Sequence, residues 1–149
     1  MRQRSDDACV DEGSALVEFV FLAVVLLVPL VYLVVALGRI QAGALAAEQA
    51  AREAGRAFVT SPDERVGETR ARAAATLAYR DQGFGPPGVG QLSIGCSADD
   101  CLQPAGLVTV RTEITVVLPG VPRFLSDTIP AGITLGATHV VGVDEFARR

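Results

Sequence analysis

The sequence contains no lysine and no tryptophan, and it contains a single histidine. All 13 basic residues are therefore arginine, and 17 acidic residues leave a formal net charge of −4. This balance lacks the excess positive charge with which proteins neutralise phosphates, so we do not expect a nucleic-acid partner. The absence of lysine excludes a lysine nucleophile and a P-loop lysine. A single histidine also excludes metal sites built from several histidines.

The sequence patterns of catalytic and nucleotide-binding sites are also lacking. Ser126, Asp127 and His139 are the residue types of a hydrolase triad, but no nucleophile elbow accompanies them. The glycines from Gly83 to Gly90 follow a predicted helix, whereas a nucleotide-binding loop follows a strand. No CxxC pair is present, which disfavours zinc. We therefore expect no enzyme activity, cofactor, bound metal or small-molecule substrate, and we interpret His139 as a half-buried structural residue.

An uncharged apolar run extends from Phe19 to Leu37, over 19 residues. A helix of about 20 residues, rising 1.5 Å per residue, crosses the roughly 30 Å hydrocarbon core of a bilayer. A buried core helix is a weaker interpretation, because such helices seldom lack polar residues over so many turns. Pro29 lies within the run, where a membrane helix tolerates it better than a soluble helix does. The run therefore predicts a membrane-spanning helix.

A cleaved secretory signal peptide is the main alternative for this run. Ala44-Leu45-Ala46 has the small-x-small pattern of a cleavage site. However, the run is longer than the roughly 7–15 apolar residues of a signal peptide. The preceding flank is acidic, with two arginines against four acids in residues 1–13. The acidic flank also gives a cytoplasmic N-terminus no support from the positive-inside rule, so the orientation has to be inferred from other features.

Glu18 immediately precedes the run. An acid inside a membrane span costs on the order of 2.5–3.5 kcal/mol on insertion scales, so it normally has a partner. The segment from Glu12 to Phe19, Glu-Gly-Ser-Ala-Leu-Val-Glu-Phe, resembles the processing site of type IV pilin-like proteins. More narrowly, it resembles the TadE-like pseudopilins of tight-adherence (Flp) pili. The alanine- and arginine-rich residues 46–56 likewise resemble the helix that continues the span in TadE-like proteins.

The resemblance implies cleavage by a prepilin peptidase between Gly13 and Ser14. Glu18 is then the fifth mature residue and Phe19 the sixth, and the family's role for this glutamate, which sets the register between subunits, is carried over to Glu18. The implied partners are membrane lipid, the peptidase and other pilin or pseudopilin subunits. The implied function is that of a minor pseudopilin or TadE-like pilus-assembly component, held in the cell membrane by a single span.

Elementary physical chemistry is consistent with this role for Glu18. Cleavage would create an α-amino group on Ser14, with a reference pKa of about 7.7–8.0. Ser14 and Glu18 are four residues apart, so they share a helix face and lie about 6 Å apart along the axis. In low dielectric, the carboxylate would attract the amine of its own chain or of a neighbouring subunit, and the pair would specify register.

We divide the chain into four segments: a cytoplasmic leader (1–13), a transmembrane helix (14–38), a helix continuing out of the membrane (39–58) and a small extracytoplasmic α+β head (59–149). In the continuing helix, apolar residues recur at spacings of three and four and so form a seam along one side of the helix. The charged residues lie outside this seam. We expect the seam to pack on the protein's own sheet or, alternatively, on the helix of a neighbouring subunit. The seam residues are Leu37, Ile40, Ala44, Ala47, Ala51, Ala54 and Phe58.

A second helix is predicted from Ser61 to about Asp81. Ser61 is the expected N-cap, with Pro62 at N1 and Glu64 as the acid of a capping box. The helix has a thin apolar side, so we expect it to lie shallowly on the head. That side comprises Val66, Ala73, Ala74 and Leu77.

Three strands are predicted near residues 92–96, 107–118 and 133–143, where apolar and polar residues alternate. One apolar face per strand implies an antiparallel sheet covered on one side. The predicted fold class is therefore α+β, with an N-terminal transmembrane helix that continues into an amphipathic helix, a second short helix and a small antiparallel three-stranded sheet. This is the layout of a pilin-like head.

Cys96 and Cys101 bracket a four-residue polar turn between the first two predicted strands. A disulfide that closes this turn is the main interpretation, and it fits an oxidising, extracytoplasmic compartment. Cys9 lies in the predicted leader and would be removed or stay reduced in the cytoplasm, which accounts for the odd number of cysteines.

Two other classes of function stay open at this point. A chain cut before Ala47 would be a small secreted binding module with one disulfide. An uncut chain would be a single-pass membrane protein that anchors an interaction domain and takes no part in a pilus.

Overall fold

The computed structural model describes residues 8–85, 91–119 and 132–146, with side chains described from Ala15 onward. Ser126 and Asp127 lie outside the described residues. Two helices precede three strands, and this order confirms the predicted α+β class. The elements are α1 Ala8–Val59, α2 Glu64–Asp81, β1 Leu92–Cys96, β2 Leu107–Val117 and β3 Gly132–Gly142.

The chain divides into two compact units, Met1–Leu37 and Gly38–Arg149. In the first unit, the large apolar side chains of α1 from Leu16 to Leu37 are all exposed. Pro29 lies inside the helix without ending it. Among the described residues, α1 is the one helix that is long and apolar enough to cross a membrane. Such a length of exposed apolar surface is what lipid or partner helices would cover.

The second unit contains an antiparallel sheet in the order β1-β2-β3. Alternate side chains of the central strand β2 are fully buried, among them Val108, Val110, Ile114 and Val116. The edge strands show the same alternation with weaker burial, and the register pairs Val110 with His139. The predicted apolar faces of the strands are therefore confirmed, except at Ile133 near the start of β3, which is exposed.

The part of α1 after Gly43 covers the apolar face of the sheet, as predicted. The helix lies close to the sheet because its inner side chains are small: a Cβ added at Gly55 would lie 3.1 Å from Val141 Cγ1. The predicted seam is wrong at Leu37 and Ala44, which are exposed, because the buried stripe begins at Gly43 and passes to one side of Ala44. The buried positions of this stripe are Gly43, Ala46, Ala47, Ala50, Ala51, Ala54, Gly55 and Phe58.

The predicted capping of α2 is wrong in detail. Asp63 is the N-cap, and its Oδ1 accepts a hydrogen bond from Val66 N at 2.8 Å. The Ser61 hydroxyl instead donates to Ala57 O at 2.7 Å, within the last turn of α1. Because Ser61 is committed to the end of one helix, the next acceptor along the chain caps the other.

The predicted inner side of α2 is also wrong. Ala73 and Leu77 are exposed, whereas the buried side is formed mostly by smaller residues. Close approach explains this rotation, since a Cβ at Gly67 would lie only 2.9 Å from Phe58 Cδ2. The buried residues of α2 are Gly67, Ala71, Ala75, Ala78 and Tyr79.

Candidate functional site

The proposed processing site lies in the first turns of α1. The helix begins at Ala8, so Gly13 and Ser14 both lie in helical backbone. Glycine weakens a helix interior by about 1 kcal/mol relative to alanine, so Gly13 marks a point of low helix stability.

Glu18 and Phe19 follow one turn after Ser14. Phe19 is 72% exposed, and the Glu18 side chain is exposed beside it. Within the described part of the chain, Glu18 has no hydrogen-bond or ion-pair partner. Glu18 is thus a free carboxylate at the start of a long apolar surface, as far as the described side chains show. In a membrane, such a group needs a cation from another chain or from its own terminus.

Cys96 and Cys101 form the predicted disulfide, with Cα atoms 5.1 Å apart. The closed turn is attached to α2, because Cys101 N donates to Glu64 Oε1 at 2.8 Å. Asp100 Oδ1 accepts from Leu102 N at 2.9 Å and so stabilises the turn from within. The role of Glu64 was missed from the sequence, where it was assigned to a capping box. No local spacing signals a contact across 37 residues.

His139 is half-buried on β3, as predicted, and faces α1, with its Cδ2 3.6 Å from where a Gly55 Cβ would be. A shallow groove of about 360 Å³ runs beside it, between α1 and β3. The charged groups of the groove neutralise each other, because Arg52 and Glu48 form a 2.8 Å ion pair. Across the described ranges, no three His, Cys, Asp or Glu side chains are grouped to hold a metal.

A buried polar pair in the core was not predicted from the sequence. The Thr112 hydroxyl, on the inner face of β2, donates to Ala47 O at 3.0 Å. Tyr79 is 1% exposed, and burial raises the pKa of its hydroxyl. The nearby Thr112 hydroxyl lowers the pKa of Tyr79, but by less than burial raises it. The two hydroxyls do not form a hydrogen bond, so the Tyr79 hydroxyl has no partner among the described residues. This pair belongs to the stability of the head rather than to a reactive site.

Comparison with known proteins finds a family match for the N-terminal segment only. No curated protein and no solved structure matches the chain. Residues 13–56 match the model of the family described as TadE-like protein. This segment contains all four residues expected to act in processing and assembly, and it ends within the part of α1 that covers the sheet. Residues 13–56 are thus similar to the TadE-like family, which confirms the resemblance inferred from the sequence of this segment.

Proposed function

We propose that the protein is a minor pseudopilin, a TadE-like component of pilus assembly that a prepilin peptidase cleaves after Gly13. The observation that carries this proposal is the family match over residues 13–56, which begins at the proposed cleavage site. The matched segment includes the whole apolar run and the first charged turns after it. Its work is assembly through helix packing with other pilins, and not catalysis.

Residues 14–38 anchor the chain in the cell membrane under this proposal. The exposure of their apolar side chains along α1 supports it. Moving one leucine or valine side chain out of water gains about 1.5–3 kcal/mol. A few such residues therefore outweigh the roughly 2.5–3.5 kcal/mol that one embedded acid costs. The insertion of this helix is favourable even with Glu18 at its edge.

Glu18 specifies how the helix packs among other pilins. After cleavage, the new α-amino group of Ser14 would be largely protonated near neutral pH, since its reference pKa is about 7.7–8.0. A free carboxylate one turn away attracts that amine in its own chain or in the neighbouring one. Only one axial offset brings the two charges together between chains, so the pair fixes the register of packing.

The head lies outside the cytoplasm in this proposal. The Cys96–Cys101 disulfide supports this location, because disulfides persist in oxidising compartments. The N-terminal leader then stays inside, where a prepilin peptidase acts on it. The partners are membrane lipid, this peptidase and other pilin or pseudopilin subunits.

N-terminal sequencing of the mature protein tests the proposal. A terminus at Ser14, of the kind frequently N-methylated in pilins, is expected, and the terminus should revert to Met1 in cells lacking the peptidase. A terminus at Ala47 would instead establish the secreted binding module. A terminus at Met1 in wild-type cells would establish an uncut membrane protein that anchors an interaction domain.

A further inference from the structure

The first charged residue after the apolar run is Arg39, and its side chain is held against an aromatic ring. The Arg39 Cζ atom lies 4.9 Å from the centroid of the Phe84 ring. A guanidinium at this distance over a ring face is attracted by the quadrupole of the ring. Phe84 therefore holds the Arg39 guanidinium over its ring rather than leaving the side chain to rotate freely.

Phe84 reaches α1 because of the way in which α2 ends. Gly83 has φ of +76°, and its N–H donates to Arg80 O at 2.9 Å. The N–H of Phe84 donates to Tyr79 O, also at 2.9 Å. This left-handed glycine with two returning hydrogen bonds is a Schellman motif. It turns the chain so that Phe84 is only 7% exposed and its Cζ atom lies 3.6 Å from where a Gly43 Cβ would be.

The charge of Arg39 is not neutralised by the described residues. Arg39 is exposed, and within those ranges it takes part in no ion pair or hydrogen bond. The contact with the ring uses none of the five guanidinium N–H donors in a hydrogen bond, so these donors stay available to a ligand. Such donors match the oxygen atoms of a phosphate, to which arginine binds in a bidentate manner.

The position of Arg39 along α1 selects the source of that phosphate. Arg39 is two residues beyond Leu37, the last residue of the apolar run, which is about 3 Å along the helix axis. Each polar headgroup layer of a bilayer is roughly 5–7.5 Å thick. If the run fills the hydrocarbon core, the Arg39 donors lie at the level of the lipid phosphates.

We propose that Arg39, oriented by Phe84, binds the phosphate of a membrane phospholipid and so ties the C-terminal end of α2 to the bilayer surface. This rests on the membrane anchoring in the proposed function and is independent of cleavage and of pilus assembly. The contact gives the head a second attachment to the membrane, through α2 as well as through the chain of α1.

Solid-state NMR of the full chain tests this contact directly. The protein is labelled with ¹³Cζ-arginine and reconstituted in bilayers of phosphatidylcholine and phosphatidylglycerol, and the dephasing of the ¹³C signal by lipid ³¹P is measured. We expect a dephased component that is lost in Arg39→Gln and retained in the matched control Arg52→Gln. Phe84→Leu, which keeps an apolar side chain without the ring, should weaken it. Equal dephasing in the wild type and in Arg39→Gln overturns the proposal.

Two further measurements separate the alternatives. Inorganic phosphate added to the chain in maltoside micelles should leave the Arg39 Nε resonance unshifted, and saturable binding there would show a free-anion site and overturn the lipid assignment. An alkaline wash of the vesicles reports anchoring alone. A chain that stays in the vesicles without the ³¹P contact refutes this inference only, whereas a chain that washes off refutes the membrane anchor as well.

Discussion

The Thr112 hydroxyl donates a 3.0 Å hydrogen bond to the backbone carbonyl of Ala47, which joins the centre of the sheet to the helix that covers it. Both residues are fully buried. The carbonyl is inside a helix, so this bond is additional to the helical ladder. It fixes the position of α1 along β2 at a point where alanine and valine side chains alone would specify little.

Thr112→Val should lower the free energy of unfolding by about 1 kcal/mol, because it removes one buried hydrogen bond while keeping the shape of the side chain. Urea unfolding of the full chain in detergent micelles measures this. The matched control is Thr109→Val on the outer face of the same strand, where a change within about 0.5 kcal/mol is expected. Equal losses for the two variants would show that the buried bond has no special weight.

Tyr79→Phe should leave the protein as stable or make it more stable. The Tyr79 hydroxyl is buried without a hydrogen-bond partner in the described structure, and such a group costs about 1–3 kcal/mol. The same unfolding experiment at neutral pH measures the gain. A clear loss of stability would mean that the hydroxyl is satisfied after all.

The pH dependence of stability should change in the same variant. Burial raises the pKa of Tyr79 in the folded state above the unfolded value of about 10. Its contribution is complete below the unfolded pKa and is lost as the pH rises toward the folded pKa, because the unfolded chain then releases the proton more readily. The free energy of unfolding should therefore fall above about pH 10 in the wild type and fall less in Tyr79→Phe.

The strands could be predicted from the sequence, and the rotation of the helices could not. Val108 and Val110 alternate with polar neighbours, so the period of two marks the buried face directly. In α2, the larger side chains of Val66 and Leu77 suggested the wrong face. The buried face contains Gly67 because Phe58 packs too close to leave room for a side chain there. Glycine is not strongly hydrophobic, so a hydropathy pattern does not mark it as buried.

The contacts that position the candidate sites join residues far apart in the chain. The disulfide could be predicted because its cysteines are five residues apart and flank a turn. The bond from Cys101 N to Glu64 and the contact of the Arg39 guanidinium with the Phe84 ring depend on how helices and loops meet in three dimensions. Contacts between residues this far apart in the chain leave no periodic pattern in the sequence.

Gly43→Ala should destabilise the head by about 1–3 kcal/mol through overpacking. A Cβ at this position would overlap Val116 Cγ2 and would lie 3.1 Å from Leu135 Cδ1. Gly38→Ala is the matched control, because a Cβ there meets nothing within 4 Å. In the control, the gain in helix propensity should raise stability by up to about 1 kcal/mol. Opposite signs in urea unfolding are the expected result, and a neutral Gly43→Ala would contradict the close helix–sheet contact.

The double substitution Cys96→Ser and Cys101→Ser removes the disulfide and should lower the free energy of unfolding by about 2 kcal/mol. The loss is modest because the disulfide closes only a short loop. Glu64 still attaches the turn to α2, so the fold should persist. Unfolding curves of the wild type with and without a reducing agent measure this loss. The reducing agent should have no effect on the double variant. Cys9→Ser serves as the control and should behave like the wild type under both conditions.

Glu18→Gln should leave cleavage at Ser14 intact but reduce incorporation into the pilus by at least about a hundredfold. Removing one partner of a buried charge pair costs about 3–5 kcal/mol, and each 1.4 kcal/mol corresponds to about tenfold in an equilibrium. The measurement is the ratio of subunit in sheared pili to subunit in the membrane, by immunoblot. The matched control is Glu53→Gln, an exposed acid on the same helix that should incorporate normally. Normal incorporation of Glu18→Gln would refute the register role of this carboxylate, since no other described residue of the anchor carries a charge before Arg39.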